Sequence, residues 1–92
     1  MKVQLLERDI VWREIDAEIV ILNLATGYYY GLEGAGNDIW RLLVEHGSTE
    51  QVVEAMATQF DVDADRLRRD VDALVNDLAA QSIVRLDRRM TS

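Results

Sequence analysis

The apolar residues of this chain change their period once. Before Gly34 they come in short β-branched or alternating runs, and after it they recur at the three-and-four spacing of helices. A chain with its strands first and its helices second folds as an α+β domain, with the break at "GLEGAG" (Gly31 to Gly36) as the passage between the two parts. In the first part, "IVWREI" (Ile10 to Ile15) reads as a short strand. "AEIVILNLAT" (Ala17 to Thr26) is a stronger one, since its nearly continuous apolar run suits the middle of a sheet. Asp16 can make the tight turn between them. Gly27 supplies a positive-φ turn, and Tyr28 to Leu32 follow as a third strand. Three consecutive strands form an antiparallel meander most simply, which puts Ala17 to Leu24 in the centre and Tyr28 to Leu32 at an edge.

The second part predicts three helices. "GNDIWRLLVEHG" puts Ile39, Trp40, Leu43 and Val44 on one stripe, and Gly47 can end it. "STEQVVEAMATQF" opens on Ser48 as N-cap, with Gln51 placed as in a capping box; Val52, Val53, Met56 and Phe60 give its buried face. The longest helix starts at Asp63 and runs to about Gln81, with Leu67, Val71, Leu74, Val75 and Leu78 at helical spacing. Ile83 to Leu86 can add a short terminal strand or an extended arm. The order β-β-β-α-α-α is a compact domain of winged helix-turn-helix type, a single unit over residues 1–92.

Composition narrows what such a domain can do. The formal net charge is -7 at pH 7, whereas a domain that binds nucleic acid through phosphates carries a basic patch. The same balance argues against anionic membranes, and no apolar run approaches the ~20 residues of a membrane span. "MKVQLLERD" lacks the features of a signal peptide, and the absence of cysteine suits a cytoplasmic setting. With no cysteine and one histidine, His46, neither a zinc site nor a Cys/His nucleophile pair is available; no catalytic residue, metal ligand or cofactor is expected. His46 falls in the last turn of the first helix, where it suits the helix dipole.

Three motifs imitate chemistry without completing it. "DVDAD" (Asp61, Asp63, Asp65) opens like an EF-hand loop, but Arg66 stands where glycine is needed and Asp72 where a bidentate glutamate belongs. Gly31, Gly34 and Gly36 have the wrong spacing for a dinucleotide fingerprint, and Glu33 would repel phosphate. Arg66, Arg68 and Arg69 raise a recognition helix in a DNA groove, but Asp65, Asp70, Asp72 and Asp77 share that helix, and a solvated, salt-bridged face accounts for both.

The run Tyr28-Tyr29-Tyr30 is left. In a strand Tyr28, Tyr30 and Leu32 point one way and Tyr29 and Gly31 the other, so at least one tyrosine lies outside. It is an ordinary aromatic strand with its hydroxyls in water, or it is an edge held open for a partner. The second reading notes that neither charge nor proline blunts the edge between Tyr28 and Leu32, and that Gly31 lets a backbone approach. Such an edge is a template for an added peptide strand.

The stretch "VILNLATGYYYGLEGAGNDIWRLL" resembles the PqqD-like family in its strand ending in "LN", its Gly-aromatic strand, its "GL" turn and its "G-x-x-IW-x-LL". "DVDALVNDLAAQSIV" is similar to the family's closing helix, and Ser82 stands where the family often has glycine. The resemblance runs from about Ile10 to Leu86. It implies a non-enzymatic precursor-peptide recognition element for ribosomally made, modified peptides, most like the stand-alone lasso-peptide type. Such elements take up the leader of a precursor peptide as an extra strand on the third predicted strand, in the groove with the third helix. The implied partners are the leader peptide, a transglutaminase-like leader peptidase and a lasso cyclase. A peptide chaperone for a radical SAM enzyme of the PQQ type is the alternative within the family, and a winged-helix DNA-binding regulator the alternative outside it. At 100° per residue, one flank of the third helix carries Arg66, Asp70, Ala73 and Asp77, and the other Ala64, Arg68, Asp72 and Ala79. The small Ala73 leaves room for a ring and the two aspartates can accept hydrogen bonds, which favours the first flank. The expected leader-binding residues are Tyr28, Tyr29, Tyr30, Gly31, Leu32, Arg66, Asp70, Ala73, Leu74 and Asp77.

Overall fold

The structure, a computed structural model, describes residues 1–6 and 8–87. Its elements are β1 (Lys2–Leu5), β2 (Ile10–Ile15), β3 (Glu18–Asn23), β4 (Tyr29–Leu32), α1 (Ala35–His46), α2 (Thr49–Gln59), α3 (Ala64–Ala80) and β5 (Val84–Asp87). The meander is present as the antiparallel order β2-β3-β4, with β3 central and followed in sequence by the three helices. The terminal segment is a strand, and it pairs antiparallel with β1 in a second sheet. The sequence reading had assigned no strand at Lys2–Leu5. That run is short and carries polar Lys2 and Gln4, and its pairing partner, Val84–Asp87, lies at the other end of the described chain, where no local pattern reveals it.

The boundaries of the central strand are narrower than its apolar run. Ala17 belongs to the turn, since Asp16 and Ala17 both take positive φ (51° and 66°), as a two-residue primed hairpin turn requires. At the other end Leu24 to Thr26 leave the strand, because Asn23 captures the chain: its Oδ1 accepts from Ala25 N–H (2.9 Å) and Thr26 N–H (3.3 Å). Tyr28 lies just outside β4.

Helix ends follow their capping residues. Gly47 takes the left-handed conformation (φ 69°) and its N–H donates to Leu43 C=O. Ser48 Oγ accepts from Gln51 N–H, and Asp63 Oδ1 accepts from Asp65 N–H, so Asp63, the second aspartate of "DVDAD", serves a helix start. Two residues expected on buried faces are exposed. Val44 lies at the margin of the α1 stripe, and Phe60 is the extended C-cap of α2, off its helical register.

One core joins all layers. Ile19 and Ile21 of β3 and Leu32 of β4 belong to the same buried cluster as Trp40 and Leu43 of α1, Val52 and Met56 of α2, and Val71, Val75 and Leu78 of α3. Each such side chain contributes about 1.5–3 kcal/mol on burial. The buried Asn37 closes one end of the sheet, accepting from Ile19 N–H and donating to Ala17 C=O. Among the described residues no helix is long and apolar enough to cross a membrane.

Candidate peptide-binding edge

The three-stranded sheet has two edges, β2 and β4. The β2 edge is blunted by Arg13 and Glu14, and Glu14 forms an ion pair with Arg41 of α1. The β4 edge carries no charge between Tyr29 and Leu32. Its register decides which backbone groups it offers. Asn23 N–H donates to Tyr28 C=O (2.9 Å), so the hydrogen-bonded positions continue as Ile21 opposite Tyr30 and Ile19 opposite Leu32. The alternation of an antiparallel ladder therefore turns the N–H and C=O of Tyr29 and Gly31 away from β3, along the open edge.

Side chains alternate as well. Leu32 is buried and Tyr30 half-buried on the core side, while Tyr29 and Gly31 are exposed on the other. Tyr28 shares the parity of Tyr30 yet is 72% exposed, because it precedes the strand and its N–H is held by Thr26 Oγ1. A Cβ at Gly31 would meet nothing, so the fold itself does not require glycine there.

Two contacts set α3 beside β4. The buried Asn23 donates through Nδ2 to the carbonyls of Gln81 (3.2 Å) and Ser82 (3.3 Å), fastening the end of α3 to the β3-β4 hairpin. Ser82 itself takes φ 59°, a left-handed conformation that favours glycine. One helical turn back, Tyr30 O–H donates to Asp77 Oδ2 (2.5 Å) across the gap between β4 and α3. Burial first, and then the Asp77 carboxylate, push the Tyr30 phenol up to about 12, since both disfavour the phenolate.

The structure thus brings Asp77 to Tyr30, and Ala73 follows on the same side of α3 one turn earlier, exposed; Leu74 is half-buried against the core. The opposite flank is otherwise engaged, with Ala79 packed on the core and Arg68 ion-paired with Asp65 (3.6 Å). Asp70 and Arg66 are exposed farther along the helix. Arg66 lies about 16 Å from Asp77 along the axis, at about 1.5 Å per residue. It therefore does not join the Tyr30–Asp77 cluster. Residues that the sequence reading missed are the tethers Asn23 and Asn37. The available signal was a polar side chain at the inward parity of an otherwise apolar strand, 19-21-23.

The chain is similar to known proteins over most of its length. The family described as coenzyme PQQ synthesis protein D (PqqD) matches residues 18–84. A solved structure of TbiB1 in complex with the TbiA(beta) leader peptide is similar over 95% of this chain and 100% of its own, with 34% identity and a TM-score of 0.81. A lasso peptide synthetase B1 complexed with its leader peptide shares the fold, with 22% identity, a TM-score of 0.82, and 94% and 100% of the two chains covered. Comparison with curated protein sequences gives no match. The family match spans well over half of the chain, and together with the 34% identity to TbiB1 it establishes that this chain belongs to the PqqD family, with the fold of the lasso-peptide B1 proteins.

Proposed function

We propose that the chain is a non-catalytic adaptor that binds the leader region of a ribosomally made precursor peptide. The leader adds as a strand to β4, in the groove with α3, and the loaded adaptor delivers the precursor to the leader peptidase and cyclase of a lasso-peptide pathway in the cytoplasm. The observation that carries this reading is the uncharged β4 edge, whose Tyr29 and Gly31 backbone groups face outward beside the Tyr30–Asp77 gap. The 34% identical TbiB1 was solved with a leader peptide, which supports it. Tyr28, Tyr29, Tyr30, Gly31 and Leu32 supply the strand and its aromatic flank; Ala73, Leu74 and Asp77 line the groove opposite, with Asp70 and Arg66 reached by a longer leader. About ten extended residues with one or two anchored rings suffice for the ~8 kcal/mol of micromolar affinity.

The PqqD match favours a second reading with the same physics, a peptide chaperone for a radical SAM enzyme. The two differ in client, so the leader that binds decides between them. A DNA-binding regulator is separated by salt. Leader binding, followed by fluorescence anisotropy, is expected to change little between 50 and 200 mM salt, whereas phosphate-driven binding falls by orders of magnitude. Retention of duplex DNA with no affinity for any leader peptide would overturn the proposal.

A further inference from the structure

The second edge of the three-stranded sheet is β2, and five of its six residues are exposed. One position before the strand, Asp9 C=O accepts from Leu24 N–H (2.7 Å) and continues the β2-β3 register. Asp9, Val11 and Arg13 therefore turn their backbone groups to β3, while Ile10, Trp12 and Glu14 turn theirs outward. No described element pairs with that outward row. Trp12 stays 36% exposed, although its ring stands edge-on to the buried Trp40 with 5.9 Å between centroids. The side chains of Asp9 and Arg13 make no ion pair among the described residues.

Asp9 to Arg13 read D-I-V-W-R, an apolar centre between opposite charges. Such a run is its own complement when laid antiparallel about Val11. Ile10 then meets the partner's Trp12, both at positions whose N–H and C=O face outward, and Arg13 stands opposite the partner's Asp9, twice by symmetry. Neighbouring registers lose this match. Centred on Trp12, Arg13 faces an apolar valine; centred on Arg13, two guanidinium groups face each other. We propose that β2 is a homodimer edge, pairing antiparallel with β2 of a second copy of this chain about Val11. The charges that turn an arbitrary strand away from this edge then select a second copy. The net charge of -7 repels two copies at long range, but at physiological ionic strength that repulsion is screened beyond ~8 Å, farther than cross-strand partners lie. The dimer forms one continuous sheet in the order β4-β3-β2-β2-β3-β4. Its two β4 edges stay open, ~24 Å apart at ~4.8 Å per strand, so one assembly offers two binding edges. The pairing does not depend on what β4 binds.

The test is a charge swap read by sedimentation velocity, with folding checked by circular dichroism. Wild type is expected to dimerise in the micromolar range. Asp9→Arg alone and Arg13→Asp alone each set like charges opposite one another, and each is expected to weaken the dimer at least tenfold. An equimolar mixture of the two restores opposite charges at both contacts, and is expected to form the heterodimer within about threefold of wild-type affinity. The double variant, Asp9→Arg with Arg13→Asp, restores them within one chain and is expected to dimerise like wild type, which keeps the test decisive should one single variant fail to fold. Tyr29→Pro, which removes a donor from the opposite edge, is expected to leave the dimer unchanged. A wild type that stays monomeric to about 1 mM overturns the proposal. So does a dimer that both single variants keep, a mixture and a double variant that stay monomeric, or a dimer that Tyr29→Pro abolishes, which would place the contact on β4.

Discussion

Tyr30 is the residue on which strand, helix and groove meet. Its ring is half-buried beside the core and its hydroxyl reaches Asp77 on α3. The phenol is pushed to about 12, above its ordinary value near 10, so the folded state holds the proton more tightly than the unfolded chain. The stabilising contribution is therefore complete below pH 10 and is lost as pH rises from about 10 through about 12. Phenolate absorbance, as the difference between wild type and Tyr30→Phe, is expected to show this group titrating near 12. Asp77→Asn is expected to lower that value only in part, because burial is the larger cause. A Tyr30 that titrates near 10 in the wild type would mean that the bridge does not form in solution.

At the scale of elements, the β4 edge and the α3 flank each make a separable prediction. The Tyr29 N–H points away from β3, so Tyr29→Pro removes a donor that the fold does not use. The variant is expected to keep its circular dichroism and melt within a few degrees of wild type, and to lose leader binding by at least a hundredfold in anisotropy. Unfolding of this variant would show that β4 pairs on both sides. On α3, Ala73 is exposed on the side that carries Asp77, whereas Ala64 is exposed on the other flank. Ala73→Trp is expected to fill the groove and weaken leader binding more than tenfold, and Ala64→Trp to leave it within twofold. The reverse result would put the peptide on the other flank.

For the whole molecule, one core serves both sheets and all three helices, so a ligand that orders the β4 edge stabilises the entire fold. At a leader concentration a hundred times its Kd, the gain is about 2.7 kcal/mol. For a domain of this size that raises Tm by about 10 °C or more. Differential scanning fluorimetry with cognate and scrambled leader reads it directly. An unchanged Tm at saturating cognate leader would contradict strand addition to the folded protein.

Much of this was legible in the chain. The change of hydrophobic period at Gly31 to Gly36 determined an α+β domain with its strands first, because side-chain spacing reports which backbone geometry can bury one face. Gly47, Ser48 and Asp63 marked helix ends, since capping is local chemistry between residues a few positions apart. The alternation of Tyr29 and Gly31 against Tyr30 and Leu32 was readable for the same reason. Only the tertiary structure decided the rest. It paired Lys2–Leu5 with Val84–Asp87, set Asn23 against the end of α3, and brought Asp77 rather than Arg66 to Tyr30. Each of these joins residues dozens of positions apart, and their meeting depends on how the whole core packs rather than on any local pattern.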